Sequence, residues 1–200
     1  MGHPSFSGLL LRHTTEELRE LIYKSKEIYP QIWKGIKWSE RKMQWEAPSG
    51  ARLWMSYLDR EDDVLRYQGL AFSWIGFDEL TQWATPYAWN YMRSRLRSVA
   101  SDLPVYMRAT TNPGGPGHQW VKKMFIDPAP YGRQFDATDI ESGNILSYPK
   151  GHTKSGQPLF KRRFIPARLS DNPYLAETGD YETMLLSLPE HQRKQLLEGD

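Results

Sequence analysis

Short apolar runs alternate along this chain with longer stripes at spacings of three and four residues, and that alternation predicts an α/β fold. Ser7 to Arg12 reads as a strand, and Thr14 to Tyr29 as a helix with Leu18, Leu21, Ile22 and Ile28 on its apolar face. Thr14 and Glu17 stand at capping-box spacing, and Pro30 is the predicted stop. Met43 to Glu46 and Arg52 to Leu58 flank the turn signal Ala47-Pro48-Ser49-Gly50, which predicts a β-hairpin whose Leu53, Met55 and Tyr57 face the core. Leu70 to Leu80 is an apolar run rich in Phe, Trp and Ile, with Gly69 before it and Gly76 inside it, and reads as a buried strand. Pro86 to Asp102 reads as a helix with Thr85 as N-cap, Pro86 in the first turn, and Trp89, Met92, Leu96 and Val99 on one face. Pro104 to Ala109 then predicts a further strand running into the polar turn Thr110 to Gly115. Strand, helix, strand is by default a right-handed parallel crossover.

That crossover gives the candidate chemistry its location. Asp78 and Glu79 close the apolar run, the position in which a nucleotide-hydrolysing site holds Mg²⁺ and a water at the end of a buried strand. A solvated strand end or an acidic helix start is the plainer reading. Thr111 and Asn112 emerge at the same carboxyl edge, where open α/β sheets bind ligands. Arg12 ends the first strand at that edge too; an arginine there stabilises phosphoryl-transfer charge or forms an ordinary ion pair.

Downstream, Ile126 to Pro158 is rich in Gly, Pro, Asp and Ser and reads as a long loop or insertion. Phe160 to Ala167 returns to strand-like composition as the expected last strand of the sheet. Asp180 to Leu188 and Pro189 to Glu198 read as two helices, with Gly199 at a C-terminal cap position.

With 26 basic and 24 acidic residues, net charge neither demands nor forbids a polyanionic partner, so distribution decides. Arg93, Arg95 and Arg97 on the crossover helix, Lys122 with Lys123, and Lys161-Arg162-Arg163 are candidate contacts for DNA phosphates, or solvated faces. The absence of cysteine excludes disulfides, thiolate metal sites and cysteine nucleophiles. No apolar stretch reaches the roughly 18 residues of a membrane helix. The acidic cluster Asp59 to Asp63, before Val64-Leu65-Arg66-Tyr67, reads as the first turn of a short helix rather than a metal site. The histidines show neither metal-ligand spacing nor a partnered nucleophile.

The motifs Tyr67-Gln68-Gly69, Ile75-Gly76-Phe77-Asp78-Glu79-Leu80-Thr81 and Ala109-Thr110-Thr111-Asn112-Pro113-Gly114-Gly115, in this order, resemble the ATPase domain of the large terminase subunit of tailed bacteriophages. Leu9 to Thr14 is similar to the strand that follows the P-loop helix in that family, and Ser170 to Leu175 to the segment that closes the ATPase domain. The resemblance implies a P-loop NTPase-like fold of RecA type, a mostly parallel sheet flanked by helices. It also implies an ATPase core over 1–167 and a helical lid segment over 168–200 leading to a nuclease domain. Asp78 would be the Walker B aspartate that binds Mg²⁺ through water, and Glu79 the carboxylate that polarises the attacking water. Thr111 and Asn112 would form the coupling motif that senses the γ-phosphate. The implied activity is ATP hydrolysis driving double-stranded DNA into a procapsid, with portal protein, small terminase subunit and further copies of the chain in a ring as partners, in the cytoplasm of an infected bacterium. The sequence departs from the family in one respect: it holds no Gly-x-x-x-x-Gly-Lys-Ser/Thr string to wrap phosphates. An internal piece of a larger motor is therefore expected, with a gap in the sheet where the P-loop strand belongs and poor ATP turnover by the chain alone. Two rivals are a non-catalytic DNA-binding or assembly module, and a metal-dependent nuclease built on Asp59 to Asp63.

Overall fold

Four strands of the main sheet share one direction, joined by crossovers rather than by hairpins. β1 (Ser7–Arg12) pairs in parallel with β4 (Arg52–Tyr57) on one side and with β5 (Trp74–Phe77) on the other, and β5 pairs in parallel with β6 (Tyr106–Ala109). β2 (Lys37–Ser39) and β3 (Gln44–Glu46) add an antiparallel extension, giving the order β2-β3-β4-β1-β5-β6. The computed structural model describes residues 1–167, 171, 173 and 180–190. It comprises two compact units, Met1–Thr111 and Asn112–Asp200, with the six-stranded sheet in the first.

Each sheet face has its own cover. Leu53 and Met55 lie under α1 (Thr15–Ile32), where Leu18, Ile22, Ile36 and Trp45 complete a buried cluster. Leu9, Leu11, Ile75 and Phe77 point to the opposite face, where Phe77 meets Trp83 and Trp89 edge-on or tilted at centroid distances of 5.1 and 5.4 Å. Such fully buried side chains contribute about 1.5–3 kcal/mol each. Gly76 has a steric reason: a Cβ there would stand 2.3 Å from Cη2 of Trp74, whose indole lies over the strand.

The capping box at Thr14 forms as predicted, with Glu17 N–H donating to Thr14 Oγ1 at 3.3 Å and Thr14 N–H to Glu17 Oε2 at 3.2 Å. The hairpin of β3 and β4 and a 3₁₀ turn over the acidic cluster, Glu61–Tyr67, also appear where expected. Two elements of this unit differ. Pro30 does not stop α1, which runs to Ile32; a proline in the last turn removes one N–H, and Trp33 N–H still reaches Tyr29 O at 2.8 Å. The crossover helix is short: α2 covers only Tyr87–Arg93. Beyond it Phe72 N–H donates to Arg95 O at 3.0 Å and Arg97 N–H to Phe72 O at 2.9 Å, so a parallel bridge claims the backbone a longer helix would need, and Val99 is fully exposed. Of the three arginines assigned to that helix, only Arg93 lies on it.

The second unit holds α3 (His118–Val121), which continues as a π-helical turn over Lys122–Ile126, and the strands β7 (Gln134–Asp136) and β8 (Lys161–Arg163). β8 is not the last strand of the main sheet. It pairs antiparallel with β7 in a sheet of their own, and most of the segment between them is irregular, as its composition predicts. Residues 180–186 form a helix, while the rest of the expected helical segment from 168 onward lies largely outside the described residues.

Candidate functional site

Cross-strand register assembles the site. The last β1–β5 pair is Leu11 with Phe77, and the last β5–β6 pair is Phe77 with Ala109. One step further along three parallel strands, Arg12, Asp78 and Thr110 stand side by side on the same face at the carboxyl edge. Asp78 N–H continues the ladder to Leu11 O at 2.9 Å, and Thr110 N–H does so to Phe77 O at 3.0 Å.

Both oxygens of Asp78 are engaged. The Thr110 hydroxyl donates to Oδ1, and Arg12 Nη1 lies 3.1 Å from Oδ2. The Arg12 and Asp78 side chains are only 17% and 22% exposed, so water screens their attraction less than at an open surface. Arg12 Nε also lies 4.0 Å from Glu17 Oε2. Neither contact has hydrogen-bond alignment, and Arg12 Nε and Nη1 are buried without an acceptor.

Glu17 ties this edge to the turn that follows Asp78. Its Oε1 accepts from Gln82 Nε2 at 2.8 Å. Burial works to raise the Glu17 pKa, but the hydrogen bonds from Gln82 and Thr14, with the Arg12 charge, outweigh it and hold the carboxyl below its ordinary range.

Glu79 is held in the left-handed region, with φ 59° and ψ 57°. For a residue with a Cβ this costs about 1–2 kcal/mol, so the surroundings must impose it. Four bonds to the β6 exit do so. Glu79 N–H donates to Thr110 Oγ1 at 3.3 Å, Leu80 N–H to Thr110 O at 2.9 Å, and Thr81 N–H to Thr111 Oγ1 at 3.1 Å, while the two hydroxyls of Thr111 and Thr81 bond at 2.9 Å. The side chain of Leu80, next in the turn, is buried.

Of the residues singled out in the sequence, Arg12, Asp78, Glu79 and Thr111 come together here. Asn112, the next residue, is exposed and opens the second unit. Thr110 was missed, although it touches both Asp78 and Glu79; counting register outward from Gly76 and Arg108 is the signal that finds it.

The other candidates have structural work. Asp63 accepts from Arg60 N–H at 3.0 Å and pairs with Arg66, and Glu61 accepts from Thr85 N–H at 3.2 Å. Among the described residues no group of three or more His, Cys, Asp or Glu is placed to hold a metal ion. Arg97 donates to Gly69 O and Leu70 O, and Arg162 is buried against Phe125 and Phe160 with Nη1 donating to Thr138 O at 2.9 Å. The expected basic run at 161–163 is therefore broken by a core residue. No described helix is long and apolar enough to cross a membrane.

No family model matches the chain, and no curated protein matches it in sequence. Solved structures do match. The large terminase of a thermophilic bacteriophage, in complex with ADP, superposes with a TM-score of 0.60 at 14% identity, over 98% of this chain and 40% of that one. The chain has the fold of a phage large terminase. A second crystal form of the same thermophilic phage enzyme gives a TM-score of 0.59 at 13% identity, over 98% of this chain and 41% of that one. A mutant of the large terminase ATPase domain from a Thermus phage gives 0.49 at 14% identity, covering 98% and 77%. The chain thus spans about two-fifths of the length of the thermophilic phage terminase, 40–41%. That fold agrees with the expected architecture: a mostly parallel sheet, flanked by helices, whose strands β1, β5 and β6 open at one carboxyl edge.

Proposed function

We propose that this chain is part of the ATPase of a phage large terminase, and that Asp78, Glu79 and the segment Thr110 to Asn112 are its hydrolytic and coupling residues. The observation that carries the reading is the register that sets Arg12, Asp78 and Thr110 in one row at the ligand-binding edge of a terminase-type sheet.

Mg²⁺ prefers hard oxygen donors, keeps several waters, and in phosphoryl-transfer sites is held by one or two carboxylates together with substrate phosphates. Asp78, with the hydroxyl of Thr110 against its Oδ1, offers hard oxygen donors of that kind, so the residues present fit the ion. Mg²⁺ bound there with ATP would neutralise charge developing on the phosphates. Asp78 is the carboxylate that would hold it. Glu79, next in the chain and fixed in a left-handed conformation, serves as the group that orients and polarises the attacking water. Thr110 holds the backbone N–H of Glu79 and Thr111 that of Thr81, so a change at the phosphate is felt at the exit of β6.

A phosphate grip must come from outside these 200 residues, which contain no Gly-x-x-x-x-Gly-Lys-Ser/Thr. β6 ends the sheet order with Tyr106, Arg108 and Ala109 exposed, which suits a neighbouring strand in the working protein. The same reading assigns ATP as substrate and double-stranded DNA as the load. It names portal protein, small terminase subunit and a ring of copies as partners, in the cytoplasm of the infected host. The test is to read the native DNA on both sides of this frame and assay the encoded product for ATP-driven DNA packaging with portal-bearing procapsids. A P-loop upstream with ATP-dependent packaging supports the reading. Duplex DNA binding without ATP turnover would replace it with a non-catalytic module.

A further inference from the structure

The residue that competes with a cation at Asp78 belongs to the protein itself. Thr110 takes Oδ1 and the same hydroxyl holds Glu79 N–H, so Oδ2 is the oxygen any incoming cation must share, and Arg12 Nη1 is already 3.1 Å from it. We propose that Arg12 is a counter-ion latch: it neutralises Asp78 while the site carries no divalent cation, and gives the carboxylate up when one binds. The proposal rests on the reading of Asp78 as the metal carboxylate.

Three observations favour exchange over a fixed ion pair. The row of Arg12, Asp78 and Thr110 is set by strand register, so the guanidinium is delivered to Asp78 whether or not it is the best partner. The contact satisfies charge but not hydrogen bonding, since Arg12 Nε and Nη1 are buried without an acceptor; such an arginine has something to gain by moving. A second carboxylate is within reach, because Glu17 Oε2 lies 4.0 Å from Nε. A displaced Arg12 therefore closes onto Glu17. There it meets the oxygen that accepts from Thr14 N–H at 3.2 Å, while Oε1 of the same carboxylate accepts at 2.8 Å from the amide of Gln82, whose N–H ends the turn begun by Glu79 O at 3.0 Å. Cation binding at Asp78 is thereby reported to the turn that carries Glu79. Arg12 is a positioning residue in this scheme: it acts through Asp78 and Glu17.

A competitor that occupies the site lowers apparent cation affinity in proportion to its occupancy, so its removal must raise it. The experiment is Mn²⁺ binding to the whole chain, followed by water-proton relaxation, in wild type, Arg12→Gln and Asp78→Asn, with circular dichroism to verify folding. Roughly tenfold tighter binding by Arg12→Gln, with binding lost in Asp78→Asn, supports the latch. Unchanged or weaker binding by Arg12→Gln, while Asp78→Asn still abolishes it, overturns the latch and leaves the metal reading standing. Absence of Mn²⁺ binding in all three overturns both. Should Arg12→Gln not fold, the wild-type Arg12 Nε–H resonance decides, assigned with Arg12→Lys: a shift on adding Mg²⁺, absent in Asp78→Asn, supports exchange, and an unmoved resonance overturns it.

Discussion

Gln82 Nε2 donates to Glu17 Oε1 at 2.8 Å, fastening the turn that follows Asp78 and Glu79 to the first turn of α1. The same Glu17 carboxyl closes the capping box with Thr14 and faces Arg12, so one side chain anchors a helix start and borders the candidate site.

Glu17 makes stability depend on pH in a definite direction. Its folded pKa lies below the ordinary 4.5, so its ionised form stabilises the fold above that value, and the contribution is lost as pH falls through the folded pKa. Glu17→Gln is expected to cost about 1 kcal/mol at pH 7. Urea unfolding of the two proteins should give converging midpoints as pH is lowered past 4.5, and a gap that widened there would refute this.

Glu79→Gly removes the Cβ from a left-handed residue and is expected to stabilise the chain by about 1 kcal/mol. The stabilised variant should have no function in packaging, the pattern of strain kept at a working site. A lower unfolding midpoint for Glu79→Gly would show that the conformation is not strained.

Thr110→Val keeps shape but deletes the donor to Asp78 and the acceptor of Glu79 N–H. A loss of about 0.5–1.5 kcal/mol is expected. Thr110→Ser should recover most of it in chemical denaturation; equal losses for both would point to the methyl group instead.

Gly76→Ala forces a Cβ against Trp74 and is expected to destabilise by about 1–3 kcal/mol. Combining it with Trp74→Leu should cost less than the sum of the single changes, read from a double-mutant cycle of unfolding free energies.

What the sequence made legible was local. The capping box at Thr14, the hairpin around Ser49-Gly50, the strand ending at Asp78 and the acidic turn before Val64 all rest on neighbours within a few residues. The crossover helix was overdrawn because Leu96 and Val99 kept helical spacing while Phe72, more than twenty positions earlier, took the backbone of Arg95 to Arg97. Arg162 looked like part of a surface run because nothing adjacent reveals that Phe125 and Phe160 enclose it. Thr110 and the Arg12 pairing depend on register between strands far apart in the chain. Such register can be counted only once the sheet order is known.

ATP turnover by the product of the full reading frame, compared between wild type and Glu79→Gln under single-turnover conditions, tests most directly whether this sheet edge is a hydrolytic site. A loss of roughly a hundredfold or more with nucleotide binding retained is expected if Glu79 activates the attacking water. Turnover by Glu79→Gln equal to wild type would contradict it, and the carboxylates at the end of β5 would then be structural.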